Sequence, residues 1–172
     1  NRNQYFPDSF QSILVGGGPV PLSYLERAIE RNIPVLQTYG MTETASQTTT
    51  LSSEDAIRKL GSSGKPLFFA DVRIDGEEKM GEICIKGPHV TKGYIGAAES
   101  KKPLLNGWLH TGDIGYLDEE GYLFVVDRRS DLIISGGENI YHAELEQALV
   151  KHPAGVEAGV TGRQDDKWGQ IP

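Results

Sequence analysis

The segment Tyr39-Gly40-Met41-Thr42-Glu43 carries several residue types that could act on one ligand, directly after the predicted strand Val35–Thr38. A tyrosine ring can stack on a flat heterocycle, and a neighbouring glycine lets the backbone approach closely. A threonine hydroxyl can bond a phosphate oxygen, and a glutamate can ligate a hard cation such as Mg²⁺. These properties suit a nucleotide, although the same residues also suit an ordinary turn at the end of a strand.

A second candidate group is Asp113, within Thr111-Gly112-Asp113, together with the more distant Arg128. A carboxylate beside a glycine can accept hydrogen bonds from both hydroxyls of a ribose, and an arginine can bond the same sugar. Taken alone, the tripeptide is more simply interpreted as a common turn. Arg128 alone would fit a solvated linker equally well.

Other motifs favour structural roles. Gly61–Pro66 lacks the Ser or Thr that must follow the lysine of a phosphate loop, so we interpret it as a glycine-rich turn entering a β module. The single Cys84 lies in the predicted strand Glu82–Lys86, which favours a buried structural thiol over a reactive one. His110 has no metal partners at useful spacing, and we expect it to be structural as well.

The elements that must position these groups begin with a strand–helix–strand unit. Strand Ser12–Val15 leads into a loop, Gly16–Pro21, and then into a helix from about Tyr24 to Arg31. Ser23 and Glu26 have the spacing of a capping box at the start of that helix. If both strands are parallel, the loops that follow them lie at one edge of the sheet, where open α/β sheets bind ligands.

The remaining chain predicts an antiparallel β module and a smaller α+β unit. Alternating apolar residues predict hairpins between about Gly64 and Val126, after a short helix at Ser53–Lys59. A polar run at Asp127–Asp131 is the predicted boundary. The elements expected after it are strand Leu132–Ile134, loop Ser135–Asn139, a helix from about Ala143 to Lys151 and a strand near Val156–Thr161. The fold class is therefore α/β, with mixed α+β parts.

Composition excludes several classes of protein. The formal net charge is −7 and basic residues are interspersed, so a nucleic-acid partner is not expected. No run approaches the roughly 20 apolar residues that span a bilayer. The chain does not begin with Met and reads as an internal segment, and its cysteine usage fits a cytoplasmic protein. A homo-oligomer remains open.

Taken together and in order, these motifs resemble the adenylate-forming superfamily of acyl-CoA ligases, luciferases and peptide-synthetase adenylation domains. The resemblance covers nearly the whole chain. It is carried by Gly16–Pro21, Tyr39–Glu43, Gly81–Tyr94 (GEICIKGPHVTKGY), Gly107–Asp113 (GWLHTGD), Gly121–Arg128 (GYLFVVDR) and Asp131–Tyr141 (DLIISGGENIY). YGMTETASQ, GSSGKPL, DRRSDLIISGGENIY and DDKWGQIP are most similar to the o-succinylbenzoate–CoA ligases of menaquinone biosynthesis.

This resemblance implies an ATP-dependent acid–thiol ligase that uses ATP, Mg²⁺, a small carboxylic acid and CoA, and that releases AMP and pyrophosphate. It implies adenine contacts for Gly16, Gly17, Gly18 and Tyr39, within a cofactor site that also includes Gly40 and Met41. Thr42 and Glu43 would be catalytic, Thr42 through the phosphate and Glu43 through Mg²⁺. Asp113 would hold the ribose with help from Arg128. Gly136 and Gly137 would flank the pantetheine tunnel.

The resemblance also implies a division of the chain. Residues 1–127 would end a large N-terminal AMP-binding domain, with an α/β unit at 1–60 and a β subdomain at 61–127. Residues 128–131 would form a hinge, with Ser130 at its centre where the family commonly has Asp or Lys. Residues 132–172 would begin a C-terminal lid domain.

Two family elements have no counterpart in this sequence, the Ser/Thr/Gly-rich phosphate loop and the catalytic Lys. We therefore expect the chain alone to be inactive. Alternatives are another aryl- or fatty-acyl-CoA ligase, or a non-catalytic nucleotide-binding module.

Overall fold

The computed structural model describes residues 6–7, 9–18, 20–76, 79–94, 104–128, 131–152, 154–155 and 157–172. Three sheets and two α-helices make up this part of the chain. The architecture is mixed α/β with predominantly antiparallel pairing, as predicted. No helix among the described residues has the length and apolar character needed to cross a bilayer.

The first unit is a four-stranded sheet with one helix. Its elements are β1 (Ile13–Val15), α1 (Leu22–Glu30), β2 (Val35–Gly40), a 3₁₀ turn (Thr42–Thr44), β3 (Gln47–Thr50) and β4 (Lys65–Pro66), in the sheet order β1-β2-β3-β4. Strands β1 and β2 are parallel, which confirms the predicted strand–helix–strand unit. The two loops that follow β1 and β2 therefore meet at one edge of the sheet.

The second unit is an antiparallel β module. Its strands are β5 (Asp71–Asp75), β6 (Gly81–Lys86), β7 (Leu104–Leu105), β8 (Trp108–Leu117) and β9 (Leu123–Arg128). Both predicted hairpins are present, as β5–β6 and β8–β9. In the second, Asp118 Oδ1 accepts hydrogen bonds from the backbone N–H groups of Glu120 and Tyr122, which closes the loop.

The core of the β module also includes a side chain from the first unit. The buried cluster consists of Ile83, Ile85, Leu109, Leu123 and Tyr39. Because Tyr39 lies in β2, packing joins the first sheet to the second rather than leaving them separate. This contact brings the carboxyl end of β2 next to the middle of β8.

The last unit is a sheet of two hairpins with one helix. Strands β10 (Ile133–Ser135) and β11 (Glu138–Ile140) form the first hairpin, and β12 (Arg163–Asp165) and β13 (Gly169–Ile171) form the second. Helix α2 (His142–Val150) lies between them in the chain, close to the predicted position. Strand β10 also pairs with β13, which makes this a single four-stranded sheet.

The structure corrects two predicted details of the helices. Ser23 lies inside α1, whose N-cap is Pro21 without a side-chain bond, so the predicted capping box is wrong. Pro21 precedes the first helical residue with φ −56° and an extended ψ of 130°, and its side chain has no group that could cap the helix. Residues 53–61 form turns instead of the predicted helix.

Two further corrections concern strands in the last unit. The segment predicted as the loop Ser135–Asn139 is mostly a tight hairpin, with only Gly136 and Gly137 between its strands. Both glycines have positive φ, 60° and 90°, as a two-residue hairpin turn requires. Residues 157–162 contain no strand, and the strand predicted near Val156–Thr161 is replaced by β12 at Arg163.

Candidate functional site

The candidate site centres on a hydrogen bond between two residues that are far apart in sequence. The Tyr39 hydroxyl donates to Asp113 Oδ2 at 2.7 Å, and 74 positions separate the two residues. Tyr39 is only 9% exposed, so much of its ring is packed in the core. The sequence predicted each residue as a ligand contact but did not predict that they bind each other.

Asp113 lies at an irregular point of strand β8, not in a turn as the tripeptide alone suggested. Gly112 before it has φ 76°, a conformation that favours glycine. The Thr111 hydroxyl donates to the Ile83 carbonyl at 2.8 Å and accepts the Asp113 N–H at 3.1 Å. The positive φ of Gly112 and the two hydrogen bonds of Thr111 together set the direction of the Asp113 side chain.

Arg128 completes the group from the end of β9. Its Nε lies 3.5 Å from Asp113 Oδ1, and the backbone positions of Asp113 and Arg128 are paired in the β8–β9 ladder. The Arg128 side chain is 60% exposed, which leaves its guanidinium available to solvent or to a ligand. The structure therefore brings together Tyr39, Asp113 and Arg128.

Burial dominates the electrostatics of this group. It raises the pKa of Asp113, while the hydrogen bond from Tyr39 and the charge of Arg128 act in the opposite direction. Burial and the Asp113 charge also raise the pKa of Tyr39 well above its ordinary value, so its hydroxyl stays protonated as a donor. A carboxylate has about four acceptor positions, so Asp113 retains capacity for two further donors such as sugar hydroxyls.

Glu43 and Thr42 lie in the 3₁₀ turn that follows β2. The Tyr94 hydroxyl donates to Glu43 Oε1, and the Glu43 carbonyl accepts the Thr91 N–H at 2.7 Å. Thr42 is exposed, whereas Thr44 is buried and its hydroxyl bonds the backbone on both sides. The turn is therefore anchored from within, and its Thr42 side chain is open to a ligand.

A magnesium ion fits Glu43 on the chemistry of its oxygens. One carboxylate oxygen takes the Tyr94 hydroxyl, and the carboxylate retains further lone pairs. Mg²⁺ is commonly held by one or two carboxylates together with substrate phosphates. The predicted role of Glu43 is thus compatible with its position.

The glycine loop after β1 approaches β2 closely. A Cβ atom at Gly16 would overlap the hydroxyl and carbonyl oxygens of Thr38, so only glycine fits there without a shift. Gly17 has φ 85°, and both Gly17 and Gly18 are exposed, with open space where a side chain would begin. These backbone atoms are accessible to a ligand at the sheet edge.

Gly40 and Met41 shape the exit from β2. A Cβ at Gly40 would overlap the backbone of Ser46 and Gln47, and the register with β3 shifts between Tyr39 and Gly40. Met41 packs against the core cluster and begins the 3₁₀ turn. Both residues therefore contribute through the backbone path and packing.

Gly136 and Gly137 lie in the β10–β11 hairpin, and no described contact joins them to Asp113. Gly136 donates its N–H to the Trp168 carbonyl at 2.8 Å, and the Trp168 ring covers the position of its missing Cβ. Their predicted role toward CoA stays a prediction. The predicted hinge residue Ser130 lies outside the described residues.

The sheet also gathers possible metal ligands that sequence spacing did not reveal. Single ligand atoms of Asp75, Cys84 and His110 lie within 4.8 Å of one another. The positive charge of Arg73 acts on Cys84 in the direction that lowers the pKa of its thiol, and the same charge opposes a cation there. Cys84 is fully buried, as predicted, and burial raises the pKa of its thiol, which favours the protonated form.

Tyr94, Thr111 and Glu82 are site residues that sequence reasoning missed. Tyr94 and Glu82 lie within the stretch Gly81–Tyr94 that carries the family resemblance, which was the available signal. Their partners are distant in sequence, as for Tyr94 and Glu43, which are 51 positions apart. Only the folded sheet identifies which groups they serve.

Comparisons with known proteins identify relatives along nearly the whole length of this chain. The chain is 57% identical over 175 residues to the 2-succinylbenzoate–CoA ligase of Oceanobacillus iheyensis, and the alignment covers 99% of this chain and 36% of that protein. For the Bacillus cereus ligase of the same name, the values are 56% identity over 174 residues, with 97% and 36% covered. The chain thus spans about a third of the length of these relatives.

The chain is also similar to solved structures of a succinylbenzoate ligase. The o-succinylbenzoate CoA synthetase of Bacillus subtilis, in complex with the acyl-adenylate intermediate, matches with a TM-score of 0.90 and 55% identity over 97% of this chain and 36% of that chain. The same enzyme in complex with ATP and magnesium ion matches with a TM-score of 0.86 and 54% identity, covering 95% and 36%.

A family pattern described as "AMP-binding enzyme" matches residues 2–95, which is more than half of the chain. That range includes the loop after β1, the whole Tyr39–Glu43 segment and the Tyr94 partner of Glu43. This chain belongs to the family of AMP-binding enzymes.

Proposed function

We propose that the whole protein to which this chain belongs is an AMP-forming acid–CoA ligase that acts on o-succinylbenzoate. The single observation that carries this proposal is the clustering of Tyr39, Asp113 and Arg128. The cluster lies at the end of β2, just before the turn that contains Glu43. The relatives support the substrate, because those with 52–57% identity are 2-succinylbenzoate–CoA ligases.

In this proposal the described residues bind the nucleotide in pieces. The exposed backbone at Gly16–Gly18 and the accessible edge of Tyr39 contact adenine, with Gly40 and Met41 setting the path between them. Asp113 accepts the ribose hydroxyls, and Arg128 contacts the same sugar. The exposed hydroxyl of Thr42 bonds a phosphate oxygen, and Glu43 ligates Mg²⁺.

The reaction has two steps. A carboxylate oxygen of the acid attacks the α-phosphorus of ATP, and the bond to pyrophosphate breaks, which gives an acyl-adenylate. The sulfur of CoA then attacks the acyl carbon, AMP leaves, and the thiol proton passes to solvent. Mg²⁺, when bound, neutralises phosphate charge, and the residues of this chain hold the nucleotide aligned.

We also propose the division of the chain that the family implies. Residues 1–127 end the nucleotide-binding domain, residues 128–131 with Ser130 form the hinge, and residues 132–172 begin the lid, where Gly136 and Gly137 flank the CoA tunnel. One contact supports a junction here: the Ala143 N–H, at the start of α2, points to Asp127 Oδ2 at 3.4 Å. We further propose a cytoplasmic location for the whole ligase, which its proposed use of ATP and CoA supports.

The test uses the full-length ligase with o-succinylbenzoate, ATP, Mg²⁺ and CoA. We expect AMP and pyrophosphate as products, and we expect Asp113→Ala to raise the KM for ATP about tenfold or more while the KM for the acid changes little. Release of ADP would contradict the reaction class. Turnover of a fatty acid but not of o-succinylbenzoate would contradict only the substrate.

A second candidate function is a fatty-acyl-CoA ligase. The Mycobacterium tuberculosis fatty acyl CoA synthetase matches with a TM-score of 0.68 and 41% identity over 94% of this chain and 34% of that chain. The higher identity to the succinylbenzoate ligases favours the aryl acid. A non-catalytic nucleotide-binding module would bind ATP in the same assay without releasing pyrophosphate.

A further inference from the structure

A largely shielded carboxylate lies next to the irregular part of strand β8. Glu82, on the neighbouring strand β6, accepts the Gly112 N–H with Oε1 at 2.9 Å. Its other oxygen, Oε2, lies 3.1 Å from Nδ1 of His110. The side chains of Glu82 and His110 are 13% and 21% exposed, so both contacts are largely shielded from water.

The pairing of β6 with β8 explains why a side chain is needed there. Glu82 pairs with Ile114, and Cys84 pairs with His110, so only Ile83 stands opposite the three residues Thr111–Asp113. A backbone ladder cannot supply partners for three residues from one. The unmatched Gly112 N–H is instead satisfied by Glu82, and the Asp113 N–H by the Thr111 hydroxyl.

This arrangement controls where Asp113 points. Gly112 has φ 76°, and the Glu82 bond holds its N–H in that conformation. The next residue is Asp113, whose carboxylate meets the Tyr39 hydroxyl and the Arg128 guanidinium. Without the Glu82 bond, the Gly112 N–H would be free to seek other partners, and the direction of Asp113 would no longer be fixed.

We propose that Glu82 is a positioning residue of the nucleotide site, which fixes the Gly112–Asp113 bulge and so aims Asp113 at the ribose. The inference rests on the proposed function, because it gives Asp113 a ribose to bind. In this proposal Glu82 acts through Gly112 and Asp113 and does not itself contact the nucleotide. His110 acts behind it by holding the second carboxylate oxygen.

The role depends on the length of the side chain rather than on its charge, and two variants separate these properties. Glu82→Gln keeps the length and an oxygen that can accept the Gly112 N–H, but it removes the charge. Glu82→Asp keeps the charge but is one methylene too short to contact both Gly112 and His110. Glu119→Gln, at an exposed loop position in the same β module, is the matched control for loss of a carboxylate.

The assay is AMP binding to the full-length ligase by titration calorimetry, with thermal unfolding to confirm folding. We expect Glu82→Asp to raise the Kd for AMP roughly tenfold, the lower end for losing a bond to a charged group. We expect Glu82→Gln to raise it less, by about two- to fivefold, because a neutral oxygen still accepts the Gly112 N–H. We expect Glu119→Gln to stay within about twofold of wild type. If Glu82→Gln weakens binding and Glu82→Asp does not, the positioning role is refuted in favour of charge.

A double-variant cycle distinguishes positioning of Asp113 from a general structural role. If Glu82 acts through Asp113, Glu82→Asp adds no further loss of AMP affinity to Asp113→Ala. Additive losses would overturn the inference. If Glu82→Asp does not fold, His110→Ala takes its place. We expect His110→Ala to raise the Kd for AMP two- to threefold, roughly the effect of weakening one hydrogen bond. This increase should disappear when the variant already carries Asp113→Ala.

The cycle also separates this inference from the proposed function. If Asp113→Ala alone leaves the Kd for AMP unchanged, the ribose role of Asp113 fails, and the positioning role fails with it. If Asp113→Ala weakens binding but Glu82→Asp leaves it unchanged, only the positioning role is overturned. Loss in both single variants, without further loss in the double variant, is the expected result.

Discussion

Gly64 and Gly61 offer a matched test of how the first sheet is joined to the β module. Both lie in the glycine-rich turn before β4, and their φ angles are nearly the same, 85° and 86°. A Cβ at Gly64 would overlap backbone atoms of Thr50 and Leu51, whereas a Cβ at Gly61 would meet only Leu22 Cδ1 at 3.7 Å. The two alanine variants therefore share the same φ strain and differ in overlap.

The expected magnitudes follow from this difference. An alanine at positive φ costs about 1–2 kcal/mol, partly offset because alanine restricts the unfolded chain more than glycine does. Gly61→Ala should therefore lower the free energy of unfolding by about 1 kcal/mol. Gly64→Ala should lower it by about 4 kcal/mol or more, since the backbone of β3 must move to make room.

The overlap at Gly64 also threatens a set of bonds to the β module. Leu123 N–H donates to the Gly64 carbonyl at 2.9 Å, and the Leu123 carbonyl accepts both the Ser63 N–H and the Ser62 hydroxyl at 2.8 Å. We expect thermal unfolding of the full-length ligase to show the larger loss for Gly64→Ala. Hydrogen exchange should locate faster exchange at Leu123. Equal losses for the two variants would refute the reasoning.

Two further predictions concern the nucleotide site, and a third concerns the hinge. Tyr94→Phe removes the hydroxyl that donates to Glu43, so the Mg²⁺ concentration for half-maximal adenylation should rise about threefold or more, while Tyr116→Phe should leave it unchanged. Burial raises the pKa of Asp113, so this carboxylate becomes protonated at a higher pH than an ordinary aspartate does. As the pH is lowered, the affinity for AMP should therefore begin to fall at a correspondingly higher pH. That acid-side fall should be absent in Asp113→Asn, and its persistence there would assign the titration to another group. Ser130→Pro should trap one domain orientation, so that either pyrophosphate exchange or thioester formation survives; equal retention of both in a folded variant would contradict the hinge.

Local patterns predicted most of the elements in this fold. The apolar stripe of α1, with Leu25 buried on it, and the alternation around Val72 in β5 each indicated a single buried face. Strand β6 is buried on both faces, since Ile83, Cys84 and Ile85 are all buried, but its alternation still identified a strand. These signals depend on residues near one another in sequence, and they identified α1 and the β5–β6 hairpin. The sequence predicted the strand–helix–strand unit but left the direction of its strands open, and the structure shows that β1 and β2 are parallel.

The wrong predictions arose where distant partners decide the local conformation. Residues 53–59 have helical charge placement, but Arg58 bonds Asp55 locally and Glu120 across 62 positions. Lys59 bonds Asp118 in the same loop at 2.6 Å. These contacts hold the segment as turns against the β8–β9 hairpin. No pattern within 53–59 contains that information.

The same distinction applies to the candidate site. The sequence identified Tyr39 and Asp113 as candidate ligand contacts because each lies within a recognisable motif. It did not identify the bond between them, because that bond depends on the packing of two sheets. Nor did it identify Glu82, whose contact with Gly112 exists only where the β6–β8 register is irregular.

Because Trp168 packs on the β10–β11 hairpin, its intrinsic fluorescence reports on the conformation of that hairpin. The chain has two tryptophans, and the other, Trp108, lies in β8 beneath the guanidinium of Arg73 at 4.6 Å. One indole therefore belongs to the β module and the other to the last sheet. In Trp108→Phe, the remaining emission from this chain comes from Trp168, which is 49% exposed and covers the bare backbone of Gly136. A methyl group at Gly136 would displace the ring, so adding Gly136→Ala to Trp108→Phe should change the emission wavelength and the quenching by iodide.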